Sequence, residues 1–124
     1  MIGGYAIVYH GYPRATGDID IWFAVNPQNA NRLLEALKEF GFATGLLSKE
    51  LFLQEKQIIR MGIPPFRIEL VTSISGVNFE QCYARRVTQV IDGVEGDIIA
   101  LEDLKTNKKA SGRLKDLNDL EHLP

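Results

Sequence analysis

Residues Gly3-Gly-Tyr-Ala-Ile-Val-Tyr-His-Gly-Tyr-Pro-Arg-Ala-Thr-Gly-Asp18-Ile-Asp20-Ile-Trp22 open on a glycine pair and close on two carboxylates one residue apart. From Asp18 the run Asp-Ile-Asp-Ile-Trp-Phe-Ala-Val is rich in β-branched and aromatic residues, which predicts a strand. On a strand, residues i and i+2 share a face. Asp18 and Asp20 therefore stand side by side, while Ile19, Ile21 and Phe23 face the opposite way into a core. Two carboxylates held that close repel, and one is driven neutral unless a cation lies between them. Ligands that are all oxygen favour a hard cation such as Mg²⁺. Taken alone, Asp-x-Asp also reads as the polar start of a strand on a solvated face.

Upstream, Gly3 and Gly4 lack side chains, so their backbone can approach a phosphate closely and adopt positive φ. By themselves they equally make a plain tight turn. Ala6 to Tyr9 reads as a short helix following that turn, its N-terminal amides facing an anion. His10-Gly11-Tyr12-Pro13 breaks the helix and begins a loop. His10 reads as a hydrogen-bonded structural residue. Arg14 and Thr16 sit in this loop beside the aspartate strand. The Arg14 guanidinium has the reach and shape for a triphosphate, and spacing alone allows a surface ion pair as readily.

Downstream, Asn26-Pro27 starts a helix whose apolar face is Ala30, Leu33, Leu34, Leu37 and Phe40, with Gly41 as C-terminal cap. Gly45 to Gln54 reads as a loop with a short helical turn. Gln57 to Gly62 and Phe66 to Val71 predict two strands around the turn Gly62-Ile-Pro-Pro65. In the second, Ile68 and Leu70 share one face, and Arg67, Glu69 and Val71 the other. Strand centres disfavour an acid such as Glu69, so it calls for a partner: an ion pair or a functional role. Asn78 caps a helix through Arg86, and Asp92-Gly93 predicts a hairpin between Val87–Ile91 and Val94–Ala100. Leu101–Ala110 and Leu114–Leu123 read as two helices broken at Ser111-Gly112. Lys108, Lys109, Arg113 and Lys115 gather at that junction, followed by Asp116. Charge runs of this kind are commonly a solvated face.

Gly-Gly followed by Asp-x-Asp, with Arg14 and Thr16 just before the aspartates, resembles the signature of small nucleotidyltransferases of the DNA-polymerase-β superfamily. The likeness is greatest to the minimal and abortive-infection (AbiEii-like) branches of bacterial toxin–antitoxin loci. It extends to Lys109-Ala-Ser-Gly-Arg113-Leu-Lys115-Asp116. The resemblance implies that Gly3 and Gly4 hold nucleotide phosphates, and that Asp18, Asp20 and a third carboxylate on a neighbouring strand bind Mg²⁺ or Mn²⁺. That third position is Glu69, where the family pattern has aspartate. It further implies that Lys109, Arg113 and Lys115 neutralise a nucleoside triphosphate, with Asp116 orienting one of them. The acceptor would be a tRNA end, a partner protein or a small molecule. A toxin or antitoxin partner, or a second copy of the chain, is implied in the same way. In the family a helix and a strand lead into the glycine turn, whereas here only Met1 and Ile2 precede it.

At 124 residues the chain fits one domain. Its 24% charged residues and net charge of −2 give no sequence-independent attraction to nucleic acid or anionic membrane. One cysteine, Cys82, excludes an internal disulfide framework and suits a reducing compartment. It reads as a small buried hydrophobe. No apolar run approaches the ~20 residues of a membrane span, and no signal peptide is visible, which points to the cytoplasm. The expectation is an α+β nucleotidyltransferase domain over 1–124, a small mixed sheet flanked by helices. The alternative is a non-catalytic antitoxin or interaction module on the same fold. A nucleic-acid-binding domain without chemistry fits less well, because no aromatics interleave with the lysines.

Overall fold

A computed structural model describes residues 1–14, 17–42, 48–62, 67–91 and 93–124. Along the chain they form α1 (Gly3–Tyr9), β1 (Asp18–Trp22), α2 (Pro27–Glu39), a 3₁₀ turn (Lys49–Leu53), β2 (Ile58–Met61), β3 (Arg67–Val71), α3 (Phe79–Ala84), β4 (Val87–Ile91), β5 (Val94–Ile98), α4 (Leu101–Ser111) and α5 (Leu114–His122). The class is mixed α+β. No helix among the described residues is long and apolar enough to cross a membrane.

Strands β1 and β3 pair in parallel and β2 pairs antiparallel with β3, so the sheet order is β1-β3-β2. The period of two sorts each strand's residues between faces. One face carries Ile21, Ile68, Leu70 and Ile59. With Phe23, Ala30, Leu37 and Phe52 they build a core under α2 and the 3₁₀ turn. Burying each such large side chain contributes about 1.5–3 kcal/mol. On the other face Val71 joins Ile2, Ala6, Ile7, Ile98, Ile99, Leu104 and Leu123 in a second core. That face is apolar at one end and carries Asp18, Asp20, Arg67, Glu69 and Arg60 at the other, so the polar end opens into a cleft.

Local signals account for several element ends. The Asn26 side chain accepts from the Asn29 amide at 2.8 Å, and Pro27 opens α2. Beyond its last turn, Gly41 has φ +88° and the Phe42 amide donates to the Leu37 carbonyl, a Schellman closure. Phe40 lies past the helix end and is 80% exposed, so the apolar face expected to include it is completed by Phe42 instead. The helix expected to run from Asn78 through Arg86 ends at Ala84, and the strand expected through Ala100 ends at Ile98. Helix α1 begins at Gly3 rather than Ala6, so the glycine pair forms its first turn. The Ile2 amide donates to the Asp20 carbonyl at 3.0 Å and the Ile99 amide to the Met1 carbonyl at 3.1 Å. Two residues thus link the β1 edge to the end of the β4–β5 hairpin. Thr16, Asp92, residues 45–47 of the expected loop, residues 63–65 of the expected turn and Phe66, the expected start of the next strand, lie outside the described residues.

Candidate functional site

Parallel pairing of β1 with β3 puts Asp20 directly opposite Glu69, and Asp18 opposite Arg67. On the far side of β3, Arg60 is opposite Glu69. Asp18, Asp20 and Glu69 therefore share the floor of a cavity of about 670 Å³. Arg67 Nη2 donates to Asp18 Oδ2 at 2.7 Å and lies 4.0 Å from Glu69 Oε1, which accepts from Arg60 Nε at 2.7 Å. Oδ1 of Asp20 is buried and has no hydrogen-bond partner among the described residues, and the same holds for Nε of Arg67. Burial, then hydrogen bonding to Glu69, then repulsion from Glu69 and Asp18 push the Asp20 carboxyl up to about 6. The Arg67 hydrogen bond holds Asp18 below its ordinary value.

Gly3 sits against this floor. Its φ is +65°, and a Cβ there would collide with the Asp20 carboxylate. Gly3→Ala is accordingly expected to destabilise the fold by about 1–3 kcal/mol, the range for forced overpacking. Urea unfolding of the variant checks this, and an unchanged midpoint would show that Asp20 can move aside freely.

The cavity's other walls are cationic. Arg14, Lys108, Arg113 and Lys115 line it with Gly3, Gly4 and Asn107. Two fully buried carboxylates behind the wall fix three of these cations. Asp119 receives Arg14 through Nε at 2.9 Å and Nη2 at 3.0 Å. Asp116 receives Arg113 at 2.7 and 3.2 Å. Lys108 Nζ lies between them, 3.2 Å from Asp116 and 3.3 Å from Asp119. Lys115 is exposed and makes no ion pair with a described residue. The lining thus carries six cationic side chains against three acids, an anion-binding balance.

Gly3, Gly4, Arg14, Asp18, Asp20, Glu69, Arg113 and Lys115 all line this one cavity. Asp116 does not line it but carries Arg113 and Lys108 from behind. Lys109 is exposed and outside the lining, and Lys108 occupies the place expected of it. Helical spacing explains the exchange: Leu101, Leu104 and Lys108 recur at intervals of three and four on the packed side of α4, and Lys109 falls a hundred degrees round. The same spacing would have found Asp119, one turn after Asp116 on α5. Arg67 was legible as a neighbour of Glu69 on one strand face, but Arg60 required the β2–β3 register. His10 lies outside the lining and donates through Nε2 to the Ile99 carbonyl at 2.7 Å, a structural contact. Cys82 is buried, 3% exposed. A second cavity of about 320 Å³, beside Trp22, Phe79 and Tyr83, holds none of the expected residues.

The donor set suits a hard divalent cation in chemistry, since all three acids offer oxygen and Asp20 has an unpaired buried one. Their present orientations do not converge: among the described residues no group of three or more His, Cys, Asp or Glu is arranged to hold a metal ion. Asp18 and Glu69 are turned onto arginines instead. No protein-family model and no curated protein matches the chain.

Asp20 also sets an expected pH dependence. An acid whose folded-state pKa is raised binds its proton more tightly in the folded than in the unfolded chain, so stability falls as pH rises through the interval between the two values. With chelator present, unfolding free energy should decline from about pH 4 to about pH 6 because of this group. Asp20→Asn should remove that decline. Denaturant melts at pH 4.5 and 7 check it, and an identical pH profile in the variant would contradict the assignment.

Proposed function

We propose that this chain is a metal-dependent nucleotidyltransferase that moves a nucleoside monophosphate from a nucleoside triphosphate to a hydroxyl, releasing pyrophosphate. The observation that carries the reading is the register of Asp20 against Glu69, with Gly3 packed on Asp20, at the floor of a cationic cavity. The volume suits one small ligand, since such sites run to about 300–1,000 Å³.

In this reading Arg14, Arg113 and Lys115 bind the triphosphate, and the buried Asp116 and Asp119 keep two of those cations aimed. Gly3 and Gly4 let the backbone approach a phosphate. Asp18, Asp20 and Glu69 would hold Mg²⁺ or Mn²⁺ once Asp18 and Glu69 are turned from their arginines, and the ion would supply charge neutralisation for phosphoryl transfer. The acceptor oxygen forms a bond to the α-phosphorus, the bond from that phosphorus to the bridging oxygen breaks, and the hydroxyl proton passes to a carboxylate of the trio. Positioning provides much of the acceleration. The acceptor is a tRNA end, a side chain of a partner such as a toxin, or a small molecule.

The test offers labelled nucleoside triphosphates with each of these acceptors, in Mg²⁺ and in Mn²⁺. Metal-dependent transfer to any of them supports the reading, and silence across the whole set overturns it. One observation favours a second reading, a non-catalytic interaction module on the same fold. Arg67 on Asp18 and Arg60 on Glu69 compensate two of the acids without a cation. Silence in the assay together with stable capture of a partner protein would support that module.

A further inference from the structure

One stretch of the cavity wall carries no charge. Helix α4 brings Asn107 and Ser111 to the lining, with Lys108 between them in the chain. Residues four apart share a helix face, so the two neutral side chains stand in one row along the cavity. Asn107 is buried, 8% exposed. Its Nδ2 donates to the Ser75 carbonyl at 3.0 Å. A carbonyl only accepts, so the amide nitrogen must face Ser75 and the amide oxygen must face away. That oxygen has no hydrogen-bond partner among the described residues, and neither has the Ser111 hydroxyl. The bond to Ser75 therefore does more than tie a loop to α4. It fixes the direction of an acceptor in a nearly buried side chain. A buried acceptor without a donor costs stability, so the wall suits a ligand that brings a donor.

The place of this acceptor decides which part of a nucleotide it meets. Lys108 belongs to the cationic wall held by the buried Asp116 and Asp119. Phosphates go to that wall, and the Asn107 oxygen would repel them. In a nucleoside triphosphate the group next to the phosphates is the sugar, ahead of the base. A ribose hydroxyl both donates and accepts, so it can donate to the Asn107 oxygen, with Ser111 in reach of its lone pairs. Ile74, which lines the cavity and packs on the second core, adds an apolar surface from the loop that Asn107 holds. We propose that Asn107 is a specificity-determining residue that accepts a hydrogen bond from a ribose hydroxyl, so that the cavity prefers ribonucleotides to their deoxy forms. This rests on the nucleotide reading of the same cavity and requires no ion at its acids.

The full chain is titrated calorimetrically in Mg²⁺ buffer with ATP, CTP, GTP and UTP. The tightest binder is then compared with its 2′-deoxy and 3′-deoxy forms and with inorganic tripolyphosphate. At least one deoxy form is expected to bind the unaltered protein about 10-fold more weakly, the ratio for one lost hydrogen bond whose acceptor stays buried. The form that weakens identifies the hydroxyl. In Asn107→Leu and in Asn107→Ala the ribose and deoxy forms should bind alike, with tripolyphosphate affinity unchanged. A merely structural asparagine would not move that ratio. Equal binding of all three forms to the unaltered protein would overturn the inference and leave the nucleotide reading standing. A ribose preference that persists in both variants would overturn it too. Loss of tripolyphosphate binding in both variants would reduce Asn107 to fold maintenance, with the same result. No binding of any nucleotide to the unaltered protein would bring down the nucleotide reading and this inference with it.

Discussion

Glu69→Gln is expected to reduce nucleotide transfer by about 100- to 1,000-fold, the scale seen when one preorganised electrostatic group is removed from an active site. The amide keeps the side chain's length and can still accept from Arg60 through its oxygen. It cannot neutralise a cation or take a proton. Stability should change by no more than about 1 kcal/mol, because the Arg60 side chain is 57% exposed and surface ion pairs are worth little. That separation is the point of the variant: transfer falls while the urea midpoint holds. Glu69→Asp, which restores the residue implied by the resemblance, should keep activity or raise it, since strand register already places position 69 opposite Asp20. Equal kcat/KM for Glu69→Gln and the unaltered protein would remove Glu69 from the reacting groups.

Asp119→Ala is expected to lower folding stability by about 3–5 kcal/mol, the range for breaking a buried pair from one side. Asp119 is inaccessible to solvent and carries two cations from different parts of the chain. Arg14 comes from the loop after α1, and Lys108, itself buried, from α4. Removing the carboxylate takes both Asp119 contacts from Arg14 and leaves Lys108 paired with Asp116 among the described residues. Domains of this size are held by about 5–15 kcal/mol in total, so the loss is a large share. Exchanging Lys108 and Asp119 together for methionine and leucine should recover much of it, because a buried ion pair offers little over apolar residues of similar volume. A loss below about 1 kcal/mol in Asp119→Ala would contradict this account. Asp116 adds a pH signature. Burial pushes its carboxyl up, but hydrogen bonds from Arg113 and Lys108 outweigh that and hold it below the ordinary value. Its contribution is therefore present at neutral pH and lost as pH falls below about 4.

Short-range chemistry was legible along the chain. Period-two alternation put Asp18 and Asp20 on one face and Ile21 and Phe23 on the other. Asn26-Pro27, Gly41, Asn78 and Gly112 set helix ends, because capping is decided within four or five residues. Asp-x-Asp, Glu69 and the basic junction were visible as unusual charges in their local settings. The identity of the cations that fill the cavity was only partly visible. Helical phase places Lys108 in the cavity lining and Lys109 outside it, a distinction that a cluster of adjacent lysines and arginines obscures. Partnerships between residues far apart in the chain were not legible. That Arg14 meets Asp119 across 105 residues, that Asp20 and Glu69 lie in register, and that Arg60 and Arg67 occupy two of the three acids depend on which strands pair and in which register. Pairing is fixed by packing of the two cores, through contacts distant in sequence, so no local pattern encodes it. Local pattern along the chain marked helices, strands, paired acids and clustered bases; only the tertiary structure decided which of those charges line the cavity and which face each other.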